Sequence, residues 1–84
     1  MIRFVMTEHA EGVCAAREID YEWIKRVLSS PSGVERDRID PDLRHAWAPI
    51  AERDGRILRV VYYESVVPIR IVTAFFDRRL GRIG

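Results

Sequence analysis

His9 stands two residues after Thr7 and directly after Glu8, in what reads as the first turn of a helix. The positive end of a helix dipole disfavours an imidazolium, so His9 is placed to act as a neutral base or donor near neutral pH. Its other available role is to cap or pack the helix against a sheet. Arg17 falls on the apolar side of the same helix. A cation there needs a partner or must extend its stem to water. Phosphate binding and a structural ion pair, with Asp77 or Glu64, fit it equally. Arg59 and Arg70 lie in the strand-forming half of the chain. His9 as acid–base, with Arg17, Arg59 and Arg70 stabilising a phosphorane, would make a metal-free ribonuclease. That chemistry requires all four side chains on one concave surface.

A second set of residues suits binding. His45 and Trp47 are two apart in a strand-like segment and share a face. Arg59 with Tyr63, and Arg70 with Phe76, share faces by the same alternation. Aromatic and arginine side chains interleaved on a sheet make a base-stacking platform, or an ordinary packed face with cations at its rim. Arg78 and Arg79 follow Asp77 as an electropositive lip or a solvated tail. Two histidines and one cysteine without close spacing do not suggest a zinc site, and no glycine-rich phosphate loop follows a strand. No metal or cofactor is expected. Cys14 is predicted to face the core, which argues against a nucleophile.

These residues are positioned by an α+β order: a short N-terminal strand, a two-helix hairpin, then a three- to four-stranded antiparallel sheet. Ile2–Met6 reads as the first strand. Thr7 is a helix N-cap, and Ala10, Val13, Cys14 and Arg17 follow at helical spacing. Asp20 caps the second helix, with Ile19 and Ile24 placed as a hydrophobic staple. Ser29–Gly33, containing Pro31, stops it. Val34–Ile39 and Leu43–Glu52 are candidate strands, and Pro49 demotes the latter to an edge or a bulge. Asp54-Gly55 reads as a two-residue hairpin turn. Ile57–Glu64 and Ile69–Phe76, apolar on both faces, read as central strands. The stretch 77–84 reads as a partly ordered tail.

All of this belongs to one domain spanning 1–84, small but 48% hydrophobic. No apolar run approaches the roughly 20 residues that span a bilayer. The N-terminus lacks the apolar region of a signal peptide, and a single cysteine allows no internal disulfide, so the cytoplasm is expected and a membrane is not. Charge is uneven. Residues 1–42 carry six basic and nine acidic side chains; residues 43–84 carry eight basic, all arginine, and four acidic. An arginine-rich sheet suits RNA, although a GC-rich genome that favours arginine codons is the better explanation of the arginine-over-lysine bias taken alone.

His9-Ala10, Arg17-Glu18-Ile19 and the short helix Tyr21–Leu28 before Pro31 resemble the opening of a bacterial family, domain-of-unknown-function family 4258. The resemblance continues through Asp54-Gly55-Arg56-Ile57-Leu58-Arg59-Val60-Val61 and Ile69-Arg70-Ile71-Val72-Thr73-Ala74. Val13 stands where members often carry a further arginine. The architecture is also similar to the RelE/ParE-like toxin fold, including BrnT-like toxins. That resemblance implies cleavage of RNA, often on the ribosome, or stoichiometric inhibition of a cellular target. It also implies a cognate antitoxin covering the working face. A non-catalytic module binding a partner protein, or a second copy of itself through an edge strand, is the alternative.

Overall fold

A computed structural model describes residues 3–79 of the chain. The order is β1 (Phe4–Met6), α1 (Glu8–Ala16), α2 (Tyr21–Ser29), β2 (Gly33–Arg36), β3 (Leu43–Ile50), a short 3-10 turn (Ala51–Arg53), β4 (Arg56–Tyr63) and β5 (Ile69–Phe76). The class is α+β as expected, but the sheet has five strands in the order β1-β5-β4-β3-β2. β1 joins it in parallel, Phe4–Met6 lying beside Ile69–Ile71. The other pairings are antiparallel.

Both helices start where their side chains supply a cap. Thr7 Oγ1 accepts from the Ala10 N–H at 3.1 Å, and Asp20 Oδ1 accepts from the Glu22 N–H at 2.8 Å. Each removes one of the unpaired donors of a first turn. α1 ends in a Schellman motif: the Ile19 N–H reaches the Cys14 carbonyl at 2.8 Å and the Glu18 N–H reaches the Ala15 carbonyl at 3.3 Å. Glu18 takes the left-handed position, φ 55°, that glycine usually fills there. The motif turns Ile19 inward, where Ile19 and Ile24 are both buried as the staple predicts.

The two helices cover one face of the sheet only. Ala10, Cys14, Ile24, Val27 and Leu28 meet Ala46, Ala48, Ile50, Leu58, Val60, Ile71 and Ala74 in a single core. Ile24, Ile50, Leu58, Ile71, Val27 and Val60 are fully buried. Each contributes roughly 1.5–3 kcal/mol by leaving water. The alternate residues of the strands point to the opposite face, which no helix among the described residues covers.

Three local expectations change. Asp54 and Gly55 do adopt positive φ, 56° and 76°, but they close a five-residue connection. Ile50 pairs with Arg56, and the 3-10 turn fills the space between. Pro49 is tolerated because β2 pairs β3 only up to Trp47. The Trp47 carbonyl accepts from Ser32, on the β2 side. Bonding direction alternates along a strand, so the nitrogen of Pro49 points the same way, past the end of β2. In β5, a bulge leaves Val72 without a partner: Val61 pairs with Thr73, whereas Tyr62 pairs with Ile71. The bulge reverses the alternation, so Phe75 rather than Phe76 shares a face with Arg70.

Candidate functional site

The uncovered face carries Glu35 from β2, His45 and Trp47 from β3, Arg59 and Tyr63 from β4, and Arg70, Thr73 and Phe75 from β5. Register fixes their neighbours: Glu35 is opposite His45, Trp47 opposite Arg59, Arg59 opposite Phe75, and Tyr63 opposite Arg70.

A chain of polar contacts crosses this face. Asp37 Oδ1 lies 2.7 Å from His45 Nε2, and His45 Nδ1 lies 2.9 Å from Arg59 Nη1. Arg59 Nε donates to Asp77 Oδ2 at 2.8 Å. Glu35 Oε2 stands 3.6 Å from Arg59 Nη1, and the guanidinium carbon sits 4.8 Å from the centre of the Trp47 ring. An ionised carboxylate only accepts and a guanidinium only donates, so the contacts assign the Nε2–H tautomer to His45. Arg59 and Asp77 are 7% and 5% exposed. Burial alone would raise the Asp77 carboxyl's pKa and is the largest single influence. The Arg79 N–H, the Arg59 hydrogen bond and the two arginine charges together outweigh it and hold the group below its ordinary value.

Around this chain is a cleft of about 390 Å³ lined by Glu35, Asp37, Arg38, His45, Arg59, Phe75, Asp77 and Arg79. Its charges nearly balance: three carboxylates face three guanidiniums. Both ring nitrogens of His45 are engaged. The imidazole can exchange a proton with a substrate only when that substrate displaces Asp37 or Arg59. Among the described residues, no group of three or more His, Cys, Asp and Glu is placed to hold a metal ion.

Asp37 also shapes the loop beside the cleft. Its Oδ2 accepts from the N–H groups of Ile39 and Asp40, at 3.1 and 2.9 Å. The Asp40 N–H, the His45 ring and the Ile39 N–H, in that order, bring its pKa down to about 2. Glu52 is likewise brought to about 2, chiefly by Arg26, which grips it through two bonds. A carboxylate with a depressed folded-state pKa contributes stability that is full above its unfolded value and lost as pH falls through the folded one. Melting temperature is therefore expected to drop as pH falls from about 4 to about 2. Circular dichroism of Asp37→Asn, which keeps a carbonyl oxygen for the turn, should show a flatter fall over that window. An unchanged acid limb in the variant would sink the assignment.

The residues expected to converge separate into three groups. His45, Trp47, Arg59 and Tyr63 meet on the open face, and Arg70 is exposed at its β5 side. His9 is exposed in the first turn of α1, on the helix side. The sheet therefore stands between His9 and Arg59, and the four-residue arrangement of His9, Arg17, Arg59 and Arg70 does not form. Arg17 makes neither ion pair considered for it: its Nη1 donates to the Ala74 carbonyl at 3.0 Å. Asp77 is taken by Arg59, and Glu64 by Arg44 at 3.1 Å. Arg78 and Arg79 are exposed. Asp77 is no tail residue, since its N–H bonds the Ile57 carbonyl at 2.8 Å. The rest of the proposed tail, 80–84, lies outside the described residues. Cys14 is buried, and burial pushes its thiol pKa up against the opposing charge of Arg17, so it stays a protonated core residue. Glu35, Asp37, Arg38 and Phe75 are site residues that the sequence does not single out, and Asp77 stands out there only as a possible partner of Arg17.

A protein-family model described as Domain of unknown function (DUF4258) matches residues 6–76. The chain belongs to the DUF4258 family. No curated protein and no solved structure matches it. The DUF4258 match includes His45, Trp47, Arg59, Tyr63 and Arg70 and stops one residue short of Asp77. Among the described residues, no helix is long and apolar enough to cross a membrane.

Proposed function

We propose that this DUF4258 domain is a toxin-type module of the cytoplasm that acts on RNA or on translation through the open face of its sheet. The observation that carries the reading is that face itself: Trp47, Tyr63 and Phe75 are half-buried on it, interleaved with Arg59 and Arg70, and among the described residues no helix covers them. Flat aromatic rings between guanidiniums suit stacked bases. His45 replaces His9 as the acid–base candidate, since Asp37 orients its ring and Arg59 holds a cation beside it. A cognate antitoxin would cover the same face.

The second reading is a module that acts by stoichiometric binding, to a partner protein or to a second copy, without cleaving anything. It is favoured by the occupancy of both His45 ring nitrogens. Induced expression in a bacterium, alone and with the adjacent gene, tests the toxin reading. Growth arrest with falling amino-acid incorporation, relieved by the neighbour, is the expected result. Unimpaired growth with intact RNA would refute it. His45→Gln then separates the two mechanisms. If a folded variant loses RNA cleavage and arrest together, His45 is catalytic; arrest at wild-type strength assigns the effect to binding.

A further inference from the structure

A second cleft, of about 620 Å³, adjoins the His45 cleft across Phe75, whose ring lines both. It lies where β5 runs past the end of β1, which pairs only as far as Ile71. Arg17, Arg53, Arg56 and Arg78 line it together with Phe75 and Phe76, and among the described residues no acidic one does. Among the described residues, none of these four arginines pairs with a carboxylate. Three are held by neutral groups instead. Arg17 donates to the Ala74 carbonyl, and Arg53 donates to the Glu18 carbonyl at 2.8 Å. The Arg53 guanidinium carbon is 5.2 Å from the Trp23 ring centre, and that of Arg56 is 4.7 Å from Phe76.

Such contacts orient a guanidinium without cancelling its charge. Four like charges around one cleft repel each other, and a bound polyanion relieves that repulsion. The His45 cleft differs sharply, because Glu35, Asp37 and Asp77 offset its arginines. The positive potential of this side of the molecule is thus concentrated in one cleft, and the aromatic face in the next.

We propose that the Arg17–Arg53–Arg56–Arg78 cleft binds the phosphodiester backbone of a single-stranded RNA, which then crosses Phe75 onto the face holding Trp47 and His45. The inference rests on the RNA-directed reading and adds the route and polarity of charge to it. An acidic peptide would satisfy the arginines but leave the adjoining aromatic surface without a flat partner; bases on a phosphate chain satisfy both.

The probe is a fluorescein-labelled oligouridylate of about twelve nucleotides, long enough for one such site. Its anisotropy is titrated against the full chain over a range of salt concentrations. Arg56→Gln/Arg78→Gln is expected to bind roughly tenfold more weakly, and its salt slope should fall by about 1.4, at about 0.7 per lost phosphate contact. Arg78→Gln alone, at an exposed side chain, should lose about half that slope, and it guards against a misfolded double variant. Equal affinity and slope in wild type and both variants would overturn the cleft and leave the RNA-directed reading standing. Capture of a labelled oligoglutamate peptide, with no binding of the oligouridylate, would overturn the cleft's assignment to RNA. Arginine-dependent RNA binding in a protein that leaves growth unimpaired would uphold the cleft and reject the toxin reading.

Discussion

Arg59→Ala is expected to destabilise the domain by roughly 3–5 kcal/mol, the usual cost of removing one partner from a buried ion pair. Asp77, 5% exposed, would be left with the Arg79 N–H and no buried cation. His45 would lose the donor to its Nδ1, and Trp47 would lose the guanidinium stacked on its ring. For a chain of this size each kcal/mol lowers the melting temperature by about 4–8 °C, so the fall should exceed about 10 °C. A double-mutant cycle with Asp77→Ala isolates the pair. The double variant should be more stable than the sum of the single losses predicts, by at least about 1 kcal/mol. Arg36→Ala, at an exposed position of β2, provides the surface reference and should stay within about 0.5 kcal/mol of wild type. If Arg59→Ala melts like Arg36→Ala, the polar chain across the sheet is not a structural element. The same outcome would free Arg59 to be read as a phosphate ligand alone.

That chain also marks how far the sequence could be read. Alternation placed His45 with Trp47, and Arg59 with Tyr63, because side chains two apart in a strand share a face whatever lies beside them. Alternation says nothing about which strand is adjacent or in what register. The facing of Glu35 with His45, and of Trp47 with Arg59, arises only once β2, β3 and β4 are aligned. Asp37 lies just past β2, which ends at Arg36 and not at Ile39 as its pattern implies, and Asp77 follows the last strand in a polar, basic stretch, so neither has a local signal for its partner. The bulge at Val72 exchanged Phe75 for Phe76 on the open face, and one unpaired residue is enough to do this. His9 was correctly placed in the first turn of α1. Its separation from Arg59 depends on which sheet face the helices cover, a tertiary fact. The charge split does not map onto the clefts: Arg17 comes from the acidic half yet lines the cationic cleft, and Asp77 pairs with Arg59 inside the basic half. The caps at Thr7 and Asp20 and the Ile19–Ile24 staple were legible because each is complete within a few residues.

Gly33→Ala is expected to destabilise the domain by about 1–3 kcal/mol, the range for overpacking a filled site. Gly33 pairs with Trp47 across β2 and β3, and the indole lies over the glycine. A Cβ at Gly33 would fall within the van der Waals envelope of Trp47 Cζ2, Cε2 and Nε1. The Arg59 guanidinium stands near the same ring, 4.8 Å from its centre. The added methyl therefore leaves the indole two options: to push against Arg59, or to rotate off β2 into water. Rotation removes a cation–aromatic contact worth about 0.5–2 kcal/mol and opens Arg59 to solvent. The chain has two tryptophans, so in a Trp23→Phe background Trp47 reports alone. Its emission should shift to longer wavelength in the alanine variant, with a lower melting temperature. Wild-type emission and melting in Gly33→Ala would mean that the indole is not seated against β2. On the proposed RNA-directed reading, a displaced Trp47 should also weaken oligouridylate binding while leaving its salt slope intact, because a ring that stacks bases touches no phosphate. The opposite pattern belongs to the Arg56 and Arg78 variants. Such opposite patterns of affinity and salt slope would assign the aromatic face and the arginine cleft to different parts of one ligand.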